Sequence, residues 1–264
     1  MSTTTQVTAK APIARTEPIT GIPFTRLLHV ELRKQLDTRA GRWLLIALGI
    51  LTAVVMVVMV WNLPPAELTF MDLALGAATP QMFLLPAIGI MAATSEWSQR
   101  TGMVTFTLEP RRGRVIAAKL LSALGIGVAA VVIAIVLAAV SNVAGAAFQD
   151  GAGTWTVEWD LLAGFFLMQL LVVAQGVAFG MILLNTPAAL VSYYVLPTVL
   201  TLLAMLISWM RTPAQWLDMN STTSPLIMGS MDGDAWAKLA VSSLVWVVVP
   251  LVVGTWRVLH REVK

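Results

Sequence analysis

Few residues in this sequence could do chemistry. There is no cysteine, which excludes disulfides, thiolate metal sites and cysteine nucleophiles. The two histidines, His29 and His260, stand near opposite ends of the chain, so a zinc site built from them is not expected. Covalent catalysis needs a nucleophile beside a base, and metal-assisted hydrolysis needs His or carboxylate ligands. Ser192 and Ser208 lie in a long apolar stretch without an evident base, and each is expected to bond its own helix backbone. A phosphate cradle needs the string G-x-x-x-x-G-K-[ST], which does not occur. ATP could therefore be used only through another polypeptide. Ion-coupled carriers keep an ionisable residue deep in the membrane. The apolar stretches are nearly bare of charge, and Asp72 falls close to the outer end of the second. The chain is expected to be non-catalytic, with no metal ligands and no cofactor of its own.

The elements that position the remaining residues are membrane helices. The chain is 58% hydrophobic and only 12% charged, about half the charged share usual in a soluble domain. Lipid is the natural solvent for such a composition. A spanning helix needs roughly 20 apolar residues to cross a core about 30 Å thick. Six segments qualify: 43–61, 68–94, one from just past Lys119 to 148, 161–184, 188–210 and 237–256. Trp43 and Trp61 would lie about 27 Å apart at 1.5 Å per residue, at opposite interfaces. Nine of the ten tryptophans fall at span ends or in loops, with Trp246 the mid-span exception. The second segment is the least regular, because it carries Asp72, Pro80 and Pro86. The fold class expected is an all-α polytopic membrane protein.

Lys and Arg are retained on the cytoplasmic side. With both termini inside, fifteen of the seventeen basic residues are cytoplasmic, and only Arg211 and Lys238 fall outside. The outer loops carry Glu67, Asp150, Glu158, Asp160, Asp218, Asp232 and Asp234 instead. The net charge of +3 thus belongs to the inner face of a membrane protein, and no nucleic-acid partner is expected. The location expected is the bacterial cytoplasmic membrane. Residues 1–21 are rich in Thr, Ala and Pro without the apolar core of a signal peptide, and are expected to be a disordered cytoplasmic tail. Residues 22–42 would form an interfacial helix, 43–256 the six-span domain, and 257–264 a second cytoplasmic tail.

Four connections are distinctive. Before the first span, Phe24, Leu28, Leu32 and Leu36 repeat at i,i+4, with Arg26, Arg33 and Asp37 opposite. This predicts a helix along the inner interface that meets anionic lipid, with a solvated juxtamembrane charge run as the alternative. Glu31 and Gln35 intrude on its apolar side. The inner loop 95–118 reads SEWSQRTGMVTFTLEPRRGRVIAA, an amphipathic stretch ended by Pro110. It is either an interaction element or a basic topology anchor. In the outer connection 211–235, Thr212-Pro213 and Ser224-Pro225 each offer an N-cap followed by proline, predicting two short helices dipping back to the outer interface, with a disordered loop as the alternative. Asn185-Thr186-Pro187 predicts a tight antiparallel hairpin between spans 4 and 5. Within the spans, Gly176 and Gly180 form a GxxxG string, expected to pack inside one subunit, with dimerisation as the alternative. Gln169, Gln175, Tyr193, Tyr194 and Asn142 are polar at membrane depth, and either line a path or bond between helices. Met56 and Met59 share one face of span 1 and could line a path or simply pack.

The order Glu96, Arg100-Thr101-Gly102, Pro110-Arg111-Arg112, Arg114-Val115 and Lys119 resembles the permease subunits of bacterial ABC-2-type ABC transporters. Glu31-Leu32-Arg33-Lys34 and Asp37-Thr38-Arg39 before span 1 are similar to the sequence that leads into these permeases, above all in actinobacterial members. The resemblance implies a type V exporter. Two six-span subunits, identical or homologous, pair in the membrane, and each docks on a cytoplasmic ATPase that holds ATP and Mg. It further implies a connecting helix at about 25–42, carrying Arg26, Glu31, Arg33, Lys34 and Arg39. A coupling helix at about 97–108 would engage the ATPase through Glu96, Trp97, Arg100, Thr101, Gly102, Met103, Val104, Phe106 and Leu108. The two outer helices, at about 213–218 and 225–228, would be a re-entrant pair. Spans 1 and 5 would meet the second permease, and spans 1, 2 and 5 would line the substrate path, with Met56, Met59, Tyr193 and Tyr194 as candidates. Glu109, just before Pro110, departs from the family's simpler loop. A membrane scaffold that moves nothing and an ion-coupled carrier are the alternatives from other classes.

Overall fold

The computed structural model describes residues 22–261. The expected tail at 1–21 and the last three residues of 257–264 lie outside the described residues. The described chain is helical with no strand, and six helices are long and apolar enough to cross a membrane. The architecture is that of a multi-pass membrane protein.

α1 (Phe24–Asp37) is amphipathic and stops at Thr38, which is extended. The Thr38 hydroxyl accepts from Gly41 N at 3.1 Å and caps the next helix, α2 (Arg39–Asn62). The lead-in helix therefore ends sooner than the i,i+4 pattern predicts, and Arg39 opens the first span instead of closing α1. Gly41 makes the bend possible, because a Cβ there would sit 2.0 Å from the Gln35 carbonyl oxygen. The second span is broken in two, α3 (Phe70–Gly76) and α4 (Ala78–Ser98). Asp72, the odd charge of this segment, is exposed and accepts the Thr69 hydroxyl at 2.6 Å. Thr69 in turn caps the Asp72 amide. This is an N-terminal capping pair, not an intramembrane functional carboxylate.

α5 (Gly102–Leu108) follows, then α6 (Arg112–Phe148), which at 37 residues is the longest helix. It starts seven residues before Lys119, so Lys119 is part of the helix and not of the loop. α7 (Trp159–Leu183) ends on Leu184, whose φ is 52°, and Asn185 caps α8 (Thr186–Leu206) by accepting from Ala188 N. The tight hairpin expected at Asn185-Thr186-Pro187 is present.

Beyond a 3-10 turn at Ser208–Met210 come α9 (Arg211–Leu217) and α10 (Met219–Met228). Two short helices are therefore present, but their caps differ from expectation. α9 starts without a side-chain cap, and Asp218, not Ser224, caps α10 by accepting from Asn220 N. Pro225 lies inside α10. The last span is α11 (Gly233–Ser243) and α12 (Val249–His260), joined by a π segment, Leu244–Val248, around Trp246. The α9–α10 pair lies along this span and not beyond its tip. Thr222 bonds Ser242 at 2.7 Å, and the Trp246 indole donates to Leu217 O. At 1.5 Å per residue these contacts are roughly 14 and 20 Å along the helix from Gly233.

α4 and α7 form the centre. The apolar windows of the spans containing them are 67% and 61% buried, against 11% for α8 and 22% each for α2 and the last span. Glycine sets their spacing. A Cβ on Gly176 would meet Pro86 O at 2.3 Å, one on Gly180 the Ala93 Cβ at 2.8 Å, and one on Gly89 the Val173 O at 2.6 Å. The GxxxG string thus packs inside one chain, as expected. α6 and α12 pack against α7, while α2 and α8 both flank α4. The last turn of α12, the first turn of α6 and the start of α1 meet at one end. There Arg112 donates to the carbonyls of Val258 and Arg261, and Arg114 to that of Ile22. This basic end carries the site described next.

Candidate functional site

The loop between spans 2 and 3 is a built object. α4 ends in a Schellman turn: Thr101 N bonds Glu96 O at 2.9 Å while Arg100 takes a left-handed φ of 56°. Gly102 is the buried first residue of α5. Trp97 falls in the last turn of α4, so the helix in this loop has seven residues preceded by a turn, shorter than the 97–108 expected of a coupling helix.

α5 has two faces. Phe106 turns inward, beside Leu27, Val115 and Ala118. Its ring lies 6.4 Å from that of Trp97 and 4.9 Å beneath the Arg112 guanidinium. Outward, Met103, Val104 and Leu108 are 55%, 62% and 69% exposed. Phe106 is therefore an anchor, distinct from the other apolar residues with which the sequence groups it. Glu109 is nearly buried and accepts from Arg114 at 2.8 Å and from Arg111 N at 3.3 Å. That closes the turn into α6 and gives this residue the task that sequence left open.

Behind α5 lies a ring of four charges. Lys34 donates to Glu31 at 2.7 Å and to Glu96 at 2.9 Å; Lys119 reaches Glu31 at 2.8 Å and Glu96 at 3.2 Å. The ring joins α1, α4 and α6, alternates in sign and has no net charge. Glu31, Glu96 and Lys119 are 2%, 3% and 5% exposed. Burial at this level is tolerable only for paired charges. Lys119 donates further to Ala92 O, while Glu96 Oε2 has no partner. Burial alone would lower the Lys34 ammonium, but the carboxylates of Glu96 and Glu31 outweigh it and hold its pKa above 10.5. Glu31 thus intrudes on the apolar face of α1 because that face meets Lys119. Gln35 does so because it donates to Ser122 on α6 at 2.6 Å.

The outer face of α1 is plain surface. Arg33 and Arg42 hold Asp37, and their hydrogen bonds keep its carboxyl below the usual 3.8. Exposed pairs of this kind contribute little. Arg26 is also exposed. It borders a groove of about 640 Å³ between α1 and α5, whose walls include Leu27, Val30, Val104 and Leu108, with Glu96 and Glu109 at its base.

The four path candidates all sit in packed surroundings. Met56 is buried among Phe70, Leu73 and Phe165, and Met59 packs beside it against Gly76. Tyr193 is buried edge-on to Phe179, with centroids 5.7 Å apart, and the Tyr194 hydroxyl donates to Phe83 O. Trp246 stacks on Phe179 at 6.0 Å. Of the other polar residues, Gln81, which sequence did not single out, bonds Ala130 O, and Asn142 bonds Thr154 O. No protein-family model matches the chain, and no curated protein matches it.

Proposed function

We propose that this chain is the transmembrane permease subunit of an ATP-driven exporter of the ABC-2 type. It works as one half of a pair, with ATP and Mg held by a separate cytoplasmic ATPase. One observation carries the proposal. α5 offers exposed Met103, Val104 and Leu108 on one side, and on the other is anchored to α1, α4 and α6 by Phe106 and the four-charge ring. A short helix held this way moves as a rigid body with the spans behind it. The groove between α1 and α5 gives a partner a second wall to grip. On this proposal the basic end faces the cytoplasm of a bacterial cell, following the distribution of Lys and Arg. α9 and α10 are a re-entrant pair on the outer side, a reading supported by their contacts far along the last span. α2 and α8 meet the second permease, a role their exposed apolar faces suit.

The test is co-purification with a separately encoded ABC ATPase co-expressed with this chain. Glutamate in place of Met103, Val104 or Leu108 is expected to abolish complex formation while the melting profile of the permease stays unchanged. Phe106→Glu is expected to unfold the basic end itself. Pairing that survives all three surface changes refutes the coupling role, as does ATP hydrolysis by the purified chain alone.

A further inference from the structure

Arg112 stands at the unfavourable end of its own helix. It is the first residue of α6, Arg114 follows it, and the first turn holds no acidic residue. A helix N-terminus carries partial positive charge, so cations there are disfavoured. A helix C-terminus carries the opposite charge and leaves its last carbonyls without intrahelical partners. Arg112 answers both needs at the end of α12, where its Nη1 donates to Val258 O at 2.8 Å and to Arg261 O at 2.7 Å. Its charge is therefore placed for α12 and not for α6.

The end of α12 is a firm post. At Gly254 its backbone lies on the end of α7, where a Cβ would sit 2.7 Å from the Met181 Cβ and 2.9 Å from Ile182 N. One turn later Arg257 donates to Ile182 O. From this post two cations reach the anchor of α5. The Arg261 guanidinium lies 5.1 Å from the centre of the Trp97 ring, Trp97 lies 6.4 Å from Phe106, and Phe106 lies 4.9 Å from the Arg112 guanidinium. Arg112 then returns to the carbonyl of Arg261. The contacts close a circuit through α12, α4, α5 and α6. The start of the segment that reads from sequence as a plain tail is thus one wall of the seat that holds α5.

We infer that Arg112 and Arg261 are positioning residues, which clamp Phe106 and Trp97 to the end of α12 and so set where α5 stands. They act on the exposed Met103, Val104 and Leu108 through Phe106. A helix already held in place loses less conformational freedom when a partner docks on it, so the clamp strengthens binding at this face. The clamp itself requires no ATPase, whereas its effect on ATPase binding rests on the exporter reading.

The experiment uses the full chain in nanodiscs, with a nitroxide label on Val104→Cys in α5 and, as a distant control, on Val136→Cys in α6. Arg261→Ala is expected to raise the mobility of the label at 104 and leave that at 136 unchanged. Arg261→Lys, which keeps a cation over Trp97, is expected to restore it. Arg112→Ala is expected to raise the mobility at 104 further, because the cap on α12 is lost as well. In the unlabelled chain, Arg261→Ala should weaken binding of a co-expressed ABC ATPase about two- to fivefold, and Arg112→Ala at least about tenfold. Either alanine variant decides the matter if the other fails to fold. Unchanged mobility at 104 in a folded alanine variant overturns the clamp, and so does an equal rise at 136 or a failure of Arg261→Lys to restore order. A mobile label at 104 that Arg261→Lys corrects, in a chain whose parent binds no ATPase, upholds the clamp and refutes the exporter reading alone.

Discussion

At the residue scale, the buried ring is where a single change should matter most. Replacing Lys119 with Met leaves Glu31 and Glu96 sharing one ammonium in a buried setting. Removing one partner of a buried pair costs about 3–5 kcal/mol, so Lys119→Met is expected to lower the thermal midpoint in detergent sharply. Adding Glu31→Gln should restore part of it, because the uncompensated charge is then gone. A Lys119→Met protein that melts like the parent would show that the ring does not form. The ring also predicts a pH effect. Lys34 has its pKa raised above 10.5 by Glu96 and Glu31. Its contribution is complete below 10.5 and is lost as pH rises through the higher value it has in the fold. Amide exchange over α1 should therefore accelerate on the alkaline side of 10.5, and Lys34→Gln should remove that step. Asp37 is exposed and its ion pairs are with exposed arginines, so Asp37→Asn is expected to leave the melting profile unchanged.

At the element scale, the helices are spaced by glycine and ended by unexpected residues. Gly176 faces backbone atoms of Pro86, which cannot yield as a side-chain tip can. Gly176→Ala is expected to cost about 1–3 kcal/mol by overpacking α4 against α7. Gly113 has open space around its Cβ position, and Gly113→Ala in the first turn of α6 should be neutral or stabilising by up to about 1 kcal/mol. Chemical or thermal denaturation of the two variants side by side checks this contrast. The seven residues of α5 matter less for their own helix strength than for what fastens them. Phe106 anchors the inner face of the segment, Glu109 fastens its C-terminal end, and the ring holds the platform behind it.

For the whole molecule, the uneven burial of the spans makes a prediction about assembly. α2 and α8 both pack against α4, and both expose apolar side chains such as Val54 and Val195. The chain has no native cysteine, so single cysteines report cleanly. Val54→Cys and Val195→Cys should form oxidised dimers in membranes, and Val136→Cys, exposed on α6, should not. The same approach tests orientation. Ser98→Cys at the basic end should be closed to an impermeant thiol reagent added outside intact cells, and Thr156→Cys at the other end open to it. Reversed labelling would invert the topology and overturn the proposed docking of α5 on a cytoplasmic ATPase.

The sequence by itself determined the solvent, the number of long apolar helices, the hairpin at Asn185 and the segregation of charge between the two ends. These follow from composition and local periodicity, which act over a few turns of helix. The break at Thr38, the extension of α6 through Lys119 and the Schellman turn at Arg100 were not legible, because neighbouring helices decide them. Glu31 and Lys119 are 88 residues apart, and no local pattern says that they meet. The ring came closest to being visible as the charge that spoils the apolar face of α1, a mismatch that only a partner on another helix resolves. Phe106 could not be told from Met103, Val104 and Leu108 by type, since all are apolar on a short helix. Tertiary packing alone decided which one anchors and which three are left exposed, because burial depends on what else occupies the space.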